Sequence, residues 1–128
     1  MKITIYMEPV AKARPRTVRR GGKTVTFTPS KTVDAENMIR NAVLKEEEFF
    51  AAPTALRLEA TFYRTRPKSL KKAILLPVSK PDWDNYGKTL TDALEKFIYD
   101  NDSQITTAII KKRFGSPPRI EFELEEDK

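Results

Sequence analysis

The stretch ALRLEATFYR, residues 55–64, sets Leu56, Leu58, Ala60 and Phe62 on one side of an extended chain and more polar side chains on the other. Alternation sustained over this length predicts a strand with one face on a core and the other wetted. Pro53 closes the segment before it. After it, residues 66–81 carry lysines and three prolines without sustained alternation, which predicts a long loop. Within that loop the short apolar run AILLPV, residues 73–78, is expected to tuck against the core. Two helices are predicted around this strand and loop. The first, over residues 30–48, starts after Thr28-Pro29 and repeats Ala35, Met38, Ile39 and Ala42 at helical spacing. The second, from about Asp84 to Phe97, collects Tyr86, Leu90, Ala93, Leu94 and Phe97 into one stripe. KITIYM at the start alternates Ile3, Ile5 and Met7, while residues 104–114 and 119–125 read as two strands joined at Gly115-Ser116-Pro117-Pro118. Between the first strand and the first helix, Gly21-Gly22 separates two β-prone runs and predicts a hairpin. The expectation is an α/β fold, α+β-like and two-layered, with about four strands in a mixed sheet and two long helices, forming one domain over residues 1–128.

Composition narrows the chemistry. Neither cysteine nor histidine occurs, so disulfides, thiolate zinc sites, imidazole ligands and the usual general base are excluded. Catalysis, where present, runs on carboxylates, lysine, arginine, tyrosine or hydroxyls. The net charge is +6, and its distribution is uneven. Residues 9–33 hold no acid but carry Lys12, Arg14, Arg16, Arg19, Arg20, Lys23 and Lys31; residues 60–81 hold none either and carry Arg64, Arg66, Lys68, Lys71, Lys72 and Lys80. Thirteen of the 24 basic residues therefore lie in two stretches, and the remainder of the chain is net acidic. Segregation of this kind is the footprint of a polyanion partner, DNA or RNA. No membrane-spanning run or signal peptide is present in the sequence, so a cytoplasmic protein is expected.

Acidity concentrates in KPDWDNYGKTLTDALEKFIYDNDSQI, residues 80–105, which holds Asp82, Asp84, Asp92, Glu95, Asp100 and Asp102. Successive helical side chains rotate by about 100 degrees, so Asp84, Lys88 and Asp92 share a face opposite the apolar stripe. Taken alone, Asp84 and Lys88 form an ordinary i, i+4 ion pair of roughly 0.3–0.5 kcal/mol. Asp82 and Asp84 also suit the positive end of the helix dipole. Yet Asp100 and Asp102 follow the same helix, and one of them can return to the first pair. Three or four converging carboxylates repel one another unless a divalent cation joins them. Magnesium suits such a site, because it takes oxygen ligands and is completed by water and phosphates. Beside a phosphate-binding surface, the cluster points to phosphodiester hydrolysis.

KPDWDNYGKTLTDAL followed by DNDSQI resembles the signature of the RusA family of Holliday-junction resolvases, which runs Asp-x-Asp-Asn, a lysine, Asp-Ala-Leu and a closing Asp-Ser-Gln. KARPR, the Thr-Pro-Ser-Lys helix start and the final strand pair fit the same family, so the resemblance spans nearly the whole chain. It implies that Asp82, Asp84 and Asp102 are the essential, metal-holding carboxylates and that Lys88 is the essential lysine, working with magnesium or, in its place, manganese. Asp92 matches a recurrent acidic position without a clear role. One departure stands out: the family often has two adjacent aspartates before Ser-Gln, and the first is Asn101 here. Asp100 stands one place earlier. The resemblance further implies a homodimer that nicks symmetry-related strands of a four-way junction, in a family often borne by prophages. Lys12, Arg14, Arg16, Arg19, Arg20, Lys23, Arg66 and Lys68 are the expected DNA-binding residues. Phe49, Phe50 and Trp83 are expected in the core, with a dimer interface as the alternative. Two other readings compete: a basic DNA- or RNA-binding protein without catalysis, and strand transfer through Tyr86 or Tyr99 as nucleophile.

Overall fold

The computed structural model describes residues 1–128. Strand β4, Leu56–Arg64, is central: it pairs antiparallel with β6, Arg119–Glu126, and parallel with β5, Ile105–Phe114. Strand β1, Lys2–Ile5, completes a four-stranded mixed sheet in the order β1-β6-β4-β5. Parallel pairing of β4 with β5 requires a crossover, and helix α2, Trp83–Leu94, lies within it. Helix α1, Ser30–Val43, packs against α2. Leu56, Leu58, Ala60 and Phe62 are all buried, as the alternation in β4 requires, together with Ile120, Phe122 and Leu124 of β6 and Ile3 and Ile5 of β1. The two helices cover this face; Phe62 stacks on Tyr86 of α2 with ring centroids 5.2 Å apart. On the other face, Glu59 pairs with Arg57 and Lys111, and Arg119 with Glu121. One layer of helices on one half-wetted sheet is the two-layer α+β arrangement.

Strands β2, Arg16–Arg20, and β3, Lys23–Phe27, form a separate two-stranded ribbon that pairs only with itself. Its two-residue turn needs positive φ at both positions, and Gly21 (56°) and Gly22 (77°) supply it.

Four expectations change. Helix α1 stops at Val43 rather than 48, because Lys45 to Glu48 offers no apolar side chain to the core. Helix α2 stops at Leu94, where Lys96 takes a left-handed φ of 72° and its N–H turns back to the Tyr99 carbonyl at 2.7 Å. Phe97 is thereby excluded from the apolar stripe and sits under the Arg40 guanidinium at 5.1 Å. The AILLPV run does not tuck in: Leu75 and Val78 are 77% and 84% exposed. Trp83 and Phe49 also stand in solvent, and only Phe50 is packed against the core.

Candidate active site on helix α2

The backbone entering α2 is fixed by cations on carbonyl oxygens. Arg64 donates to the Lys80 carbonyl at 2.9 Å, and Lys112 Nζ donates to those of Ser79 and Pro81 at 3.0 and 2.9 Å. Asp82 follows as the N-cap residue, but its side chain caps nothing. Among the ion pairs of the protein none includes Asp82 or Asp84, and both residues are exposed. Two carboxylates at the positive end of a helix dipole thus keep their lone pairs available.

Lys88 sits one turn beyond Asp84. Its ammonium reaches Asp92 Oδ1 at 2.7 Å and Asp102 Oδ2 at 3.8 Å, so the partner at i+4 is Asp92 and not Asp84. The hydrogen bond to Asp92 holds the Lys88 pKa above the ordinary lysine value. That contact favours the charged form of Lys88.

Asp102 opens a short 3₁₀ turn, Asp102–Gln104, that returns the chain to α2. Its Oδ1 lies 2.6 Å from the buried Tyr99 hydroxyl, and its N–H donates to Glu95 at 3.0 Å. Burial pushes the Asp102 pKa up, with Glu95 and Asp92 adding to the shift, while Tyr99 and Lys88 oppose it. Glu95 is thereby a neighbour of the candidate site. Nothing in its spacing signals this, because the contact depends on the turn after α2.

Asp100 and Asn101 both have local structural roles. Asn101 Oδ1 accepts from the Ser103 N–H at 2.9 Å, and Gln104 Oε1 accepts from the N–H groups of Asp100 and Asn101, forming a capping box. Gln104 Nε2 donates to the Phe50 and Thr54 carbonyls, both at 3.0 Å. Asp100 Oδ2 accepts from the Ala52 N–H at 2.7 Å. Asp100 and the Asn-Asp-Ser-Gln turn thus anchor the 50–54 loop and present Asp102 to α2.

Asp92 also has a second cation. Lys12 Nζ lies 3.1 Å from both Asp92 Oδ2 and Glu36 Oε1, and Arg40 pairs with Glu36 at 3.5 Å. Arg40 also donates to the Asp92 and Ala93 carbonyls near the C-terminus of α2. Charges of alternating sign therefore run from α1 to Lys88. Lys12, expected on the DNA-binding surface, is committed to this network. Arg66 is committed too, to the Ile74 and Lys71 carbonyls and the Phe114 ring. Arg14, Arg16, Arg19, Arg20, Lys23 and Lys68 are exposed.

The structure brings Lys88 and Asp102 together with Asp92, whereas Asp82 and Asp84, in the first turn of α2, form no ion pair with Lys88 or any other cation. At no point do three carboxylates lie close enough to hold an ion between them. The donor types are those a hard cation takes, all oxygen with the Asp82 and Asp84 carboxylates unpaired, but Asp82, Asp84 and Asp102 do not converge on one point in this arrangement.

A basic α+β protein with an aspartate-and-lysine helix and a separate cationic ribbon has the features of a nuclease. Residues 7–125 match the family Endodeoxyribonuclease RusA, and the chain belongs to that family. It is also similar to an uncharacterized protein, YqaN, of Bacillus subtilis (strain 168), with 32% identity over 136 aligned positions that cover 98% of this chain and 96% of the relative. No helix is long and apolar enough to cross a membrane.

Proposed function

We propose that this chain is a magnesium-dependent, structure-selective endodeoxyribonuclease that resolves four-way DNA junctions by paired, symmetric nicks, acting as a cytoplasmic homodimer. The observation that carries the reading is Lys88, poised between Asp92 and Asp102 on the helix that begins with the free carboxylates of Asp82 and Asp84. Asp82, Asp84 and Asp102 are the residues that would hold the metal. Bound there, magnesium or manganese supplies an activated water and neutralises charge on the phosphate and the departing 3′ oxygen. Lys88, kept protonated by Asp92, offers positive charge to a phosphate oxygen. Tyr99 and the turn after α2 orient Asp102. The exposed cations of the β2–β3 ribbon neutralise backbone phosphates. The tyrosine-nucleophile reading lacks support: Tyr86 and Tyr99 are 2% and 0% exposed, and burial raises the pKa of both.

The test is cleavage of a labelled four-way junction, beside linear duplex and RNA, with magnesium and with chelator. Asp82→Asn, Asp84→Asn and Asp102→Asn are each expected to abolish nicking while junction binding in chelator persists. Retained nicking in all three variants would sink the assignment. A junction left whole by the wild-type protein in magnesium would favour a binding protein without catalysis.

A further inference from the structure

The largest cavity is not at the carboxylates. It is a cleft of about 750 Å³ between the segment after β1, the start of α1, the end of β4 and the approach to α2. Its volume lies within the roughly 300–1,000 Å³ of small-ligand sites. Arg14, Arg16, Lys31 and Arg64 line it. None of the four forms an ion pair. Glu8 is the one acid on the wall, and its carboxylate is already engaged by the Thr65 N–H and hydroxyl at 3.0 and 2.8 Å. Arg14, Arg16 and Lys31 face a single occupied anion, with Arg64 held beside them by the Lys80 carbonyl at 2.9 Å, a positive surplus that suits an anionic ligand.

Two further features point to the same ligand. Helix α1 opens onto the cleft with Pro29 as N-cap, so no side chain caps its first N–H groups. Tyr86, only 2% exposed, also lines the cleft. No protein group hydrogen-bonds its hydroxyl, yet the structure contains no polar side-chain atom that is both sealed and unpartnered. The hydroxyl therefore opens into the cleft as a donor for whatever occupies it. Prolines 9, 15, 29 and 81 with Val10, Ala11, Ala13 and Thr32 make the rest of the lining, a mostly apolar surface suited to a deoxyribose.

Position sets the role. Arg16 begins β2, so one wall continues into the cationic ribbon; Pro81 forms another wall and immediately precedes Asp82. Asp84 and Lys88 line a separate, shallow hollow between α2 and β5. We propose that the cleft seats one phosphodiester with its deoxyribose from the strand being cut, a few nucleotides from the scissile phosphate, so that the next phosphates pass Asp82 toward Lys88. The inference rests on the nuclease reading and adds a substrate-positioning subsite to it.

The test is a charge-removal cycle on the full-length protein. A single neutral methylphosphonate is walked through the five positions on either side of the cut in a four-way junction, and single-turnover nicking is measured. At one position the wild-type rate is expected to fall about tenfold, the loss of one charge-assisted contact. Lys31→Gln and Arg14→Gln are expected to lose a similar factor on the unmodified junction, and nothing further on the junction neutralised at that position. Lys45→Gln, which removes a charge just past the far end of α1, is expected to behave as wild type. Losses that multiply at every position overturn the proposal, as does wild-type behaviour of both cleft variants. The same cycle read by fluorescence anisotropy in chelator separates the subsite from the nuclease activity: coupling in binding without any nicking by wild type would keep the subsite and discard the nuclease. Terminal phosphate as the ligand is distinguished by a nicked product carrying a 5′-phosphate. If that product binds more tightly than intact junction, and only when Lys31 is present, the backbone assignment fails. It fails equally if inorganic phosphate displaces the product but not the junction.

Discussion

Replacing Lys12 by methionine separates a structural lysine from a DNA-binding one. Methionine keeps most of the aliphatic stem and removes only the ammonium. In the folded protein that ammonium lies 3.1 Å from two carboxylates, with side-chain exposures of 23% for Lys12, 9% for Glu36 and 21% for Asp92. Breaking a fully buried pair costs about 3–5 kcal/mol and an exposed one about 0–1 kcal/mol. This pair is intermediate, and each acid keeps a second cation: Arg40 at 3.5 Å from Glu36 and Lys88 at 2.7 Å from Asp92. The expected loss is therefore about 2 kcal/mol, or about 1 M in the urea midpoint for a slope near 2 kcal/mol/M. The effect depends on pH. Burial disfavours the charged form of Lys12, but the hydrogen bonds to Glu36 and Asp92 outweigh it and raise the pKa. A raised folded-state pKa gives a contribution that is complete below the unfolded value, about 10.4, and vanishes as pH rises through the folded one. Wild type and Lys12→Met should thus converge in strongly alkaline urea titrations. A phosphate contact gives the opposite pattern: stability within about 0.5 kcal/mol of wild type, and a junction-binding salt slope reduced by about 0.9. That second pattern would refute the network role.

Gln104→Leu breaks four hydrogen bonds and leaves the Asp100 and Asn101 N–H groups and two loop carbonyls without their partner. The urea midpoint should report a loss of about 3 kcal/mol; a loss under 1 would show that water replaces the side chain. Tyr99→Phe removes the hydroxyl beside Asp102 and is expected to cost about 1 kcal/mol while raising the magnesium concentration for half-maximal nicking. An unchanged magnesium dependence would separate Tyr99 from the metal site. Shortening the β2–β3 ribbon to a Gly-Gly link between Pro15 and Thr28 should leave thermal stability near wild type, since the ribbon pairs only with itself. Junction binding should weaken, with a salt slope shallower by about 3 if three or four of Arg16, Arg19, Arg20 and Lys23 meet phosphates; an unaltered slope would remove the ribbon from the interface.

Legibility in the sequence followed the range of the interactions. The alternation in β4 and β6, the Gly-Gly hairpin and the core stripe of α2 are set by periods of two or 3.6 residues, and each element lies where its period predicts. The end of α2 is less local. Lys96 adopts the left-handed conformation usually given to glycine or asparagine, so the stop signal is missing from the chain, and what imposes it is the return of Tyr99 to Lys96. Apolar character alone also misplaced AILLPV and Trp83, since composition does not say which apolar residues a small core has room to cover. At the candidate site, the Asn101-x-x-Gln104 spacing is a readable capping box. By contrast, the commitment of Lys12 and Arg66 required knowing that Glu36 faces Asp92 across two helices and that the 66–74 loop folds back on Arg66.

The acids of residues 80–105 can be sorted by what their oxygens already do. Asp92 is held between Lys12 and Lys88, and Asp100 is engaged by the Ala52 N–H, so neither has much capacity for another partner. Asp82 and Asp84 have no such engagement at all. Asp102 is the intermediate case: Tyr99 orients one oxygen, while Lys88 stays 3.8 Å from the other, 1.1 Å farther than it stands from Asp92. A carboxylate that is half-buried, oriented and only loosely neutralised has its pKa pushed up, and a cation placed against its open oxygen would favour its charged form. The alternating charges from Arg40 to Lys88 explain why this strain persists. They hold Lys88 toward Asp92, so the lysine cannot close on Asp102 without giving up its shorter contact, and Asp102 keeps one oxygen without a close cation.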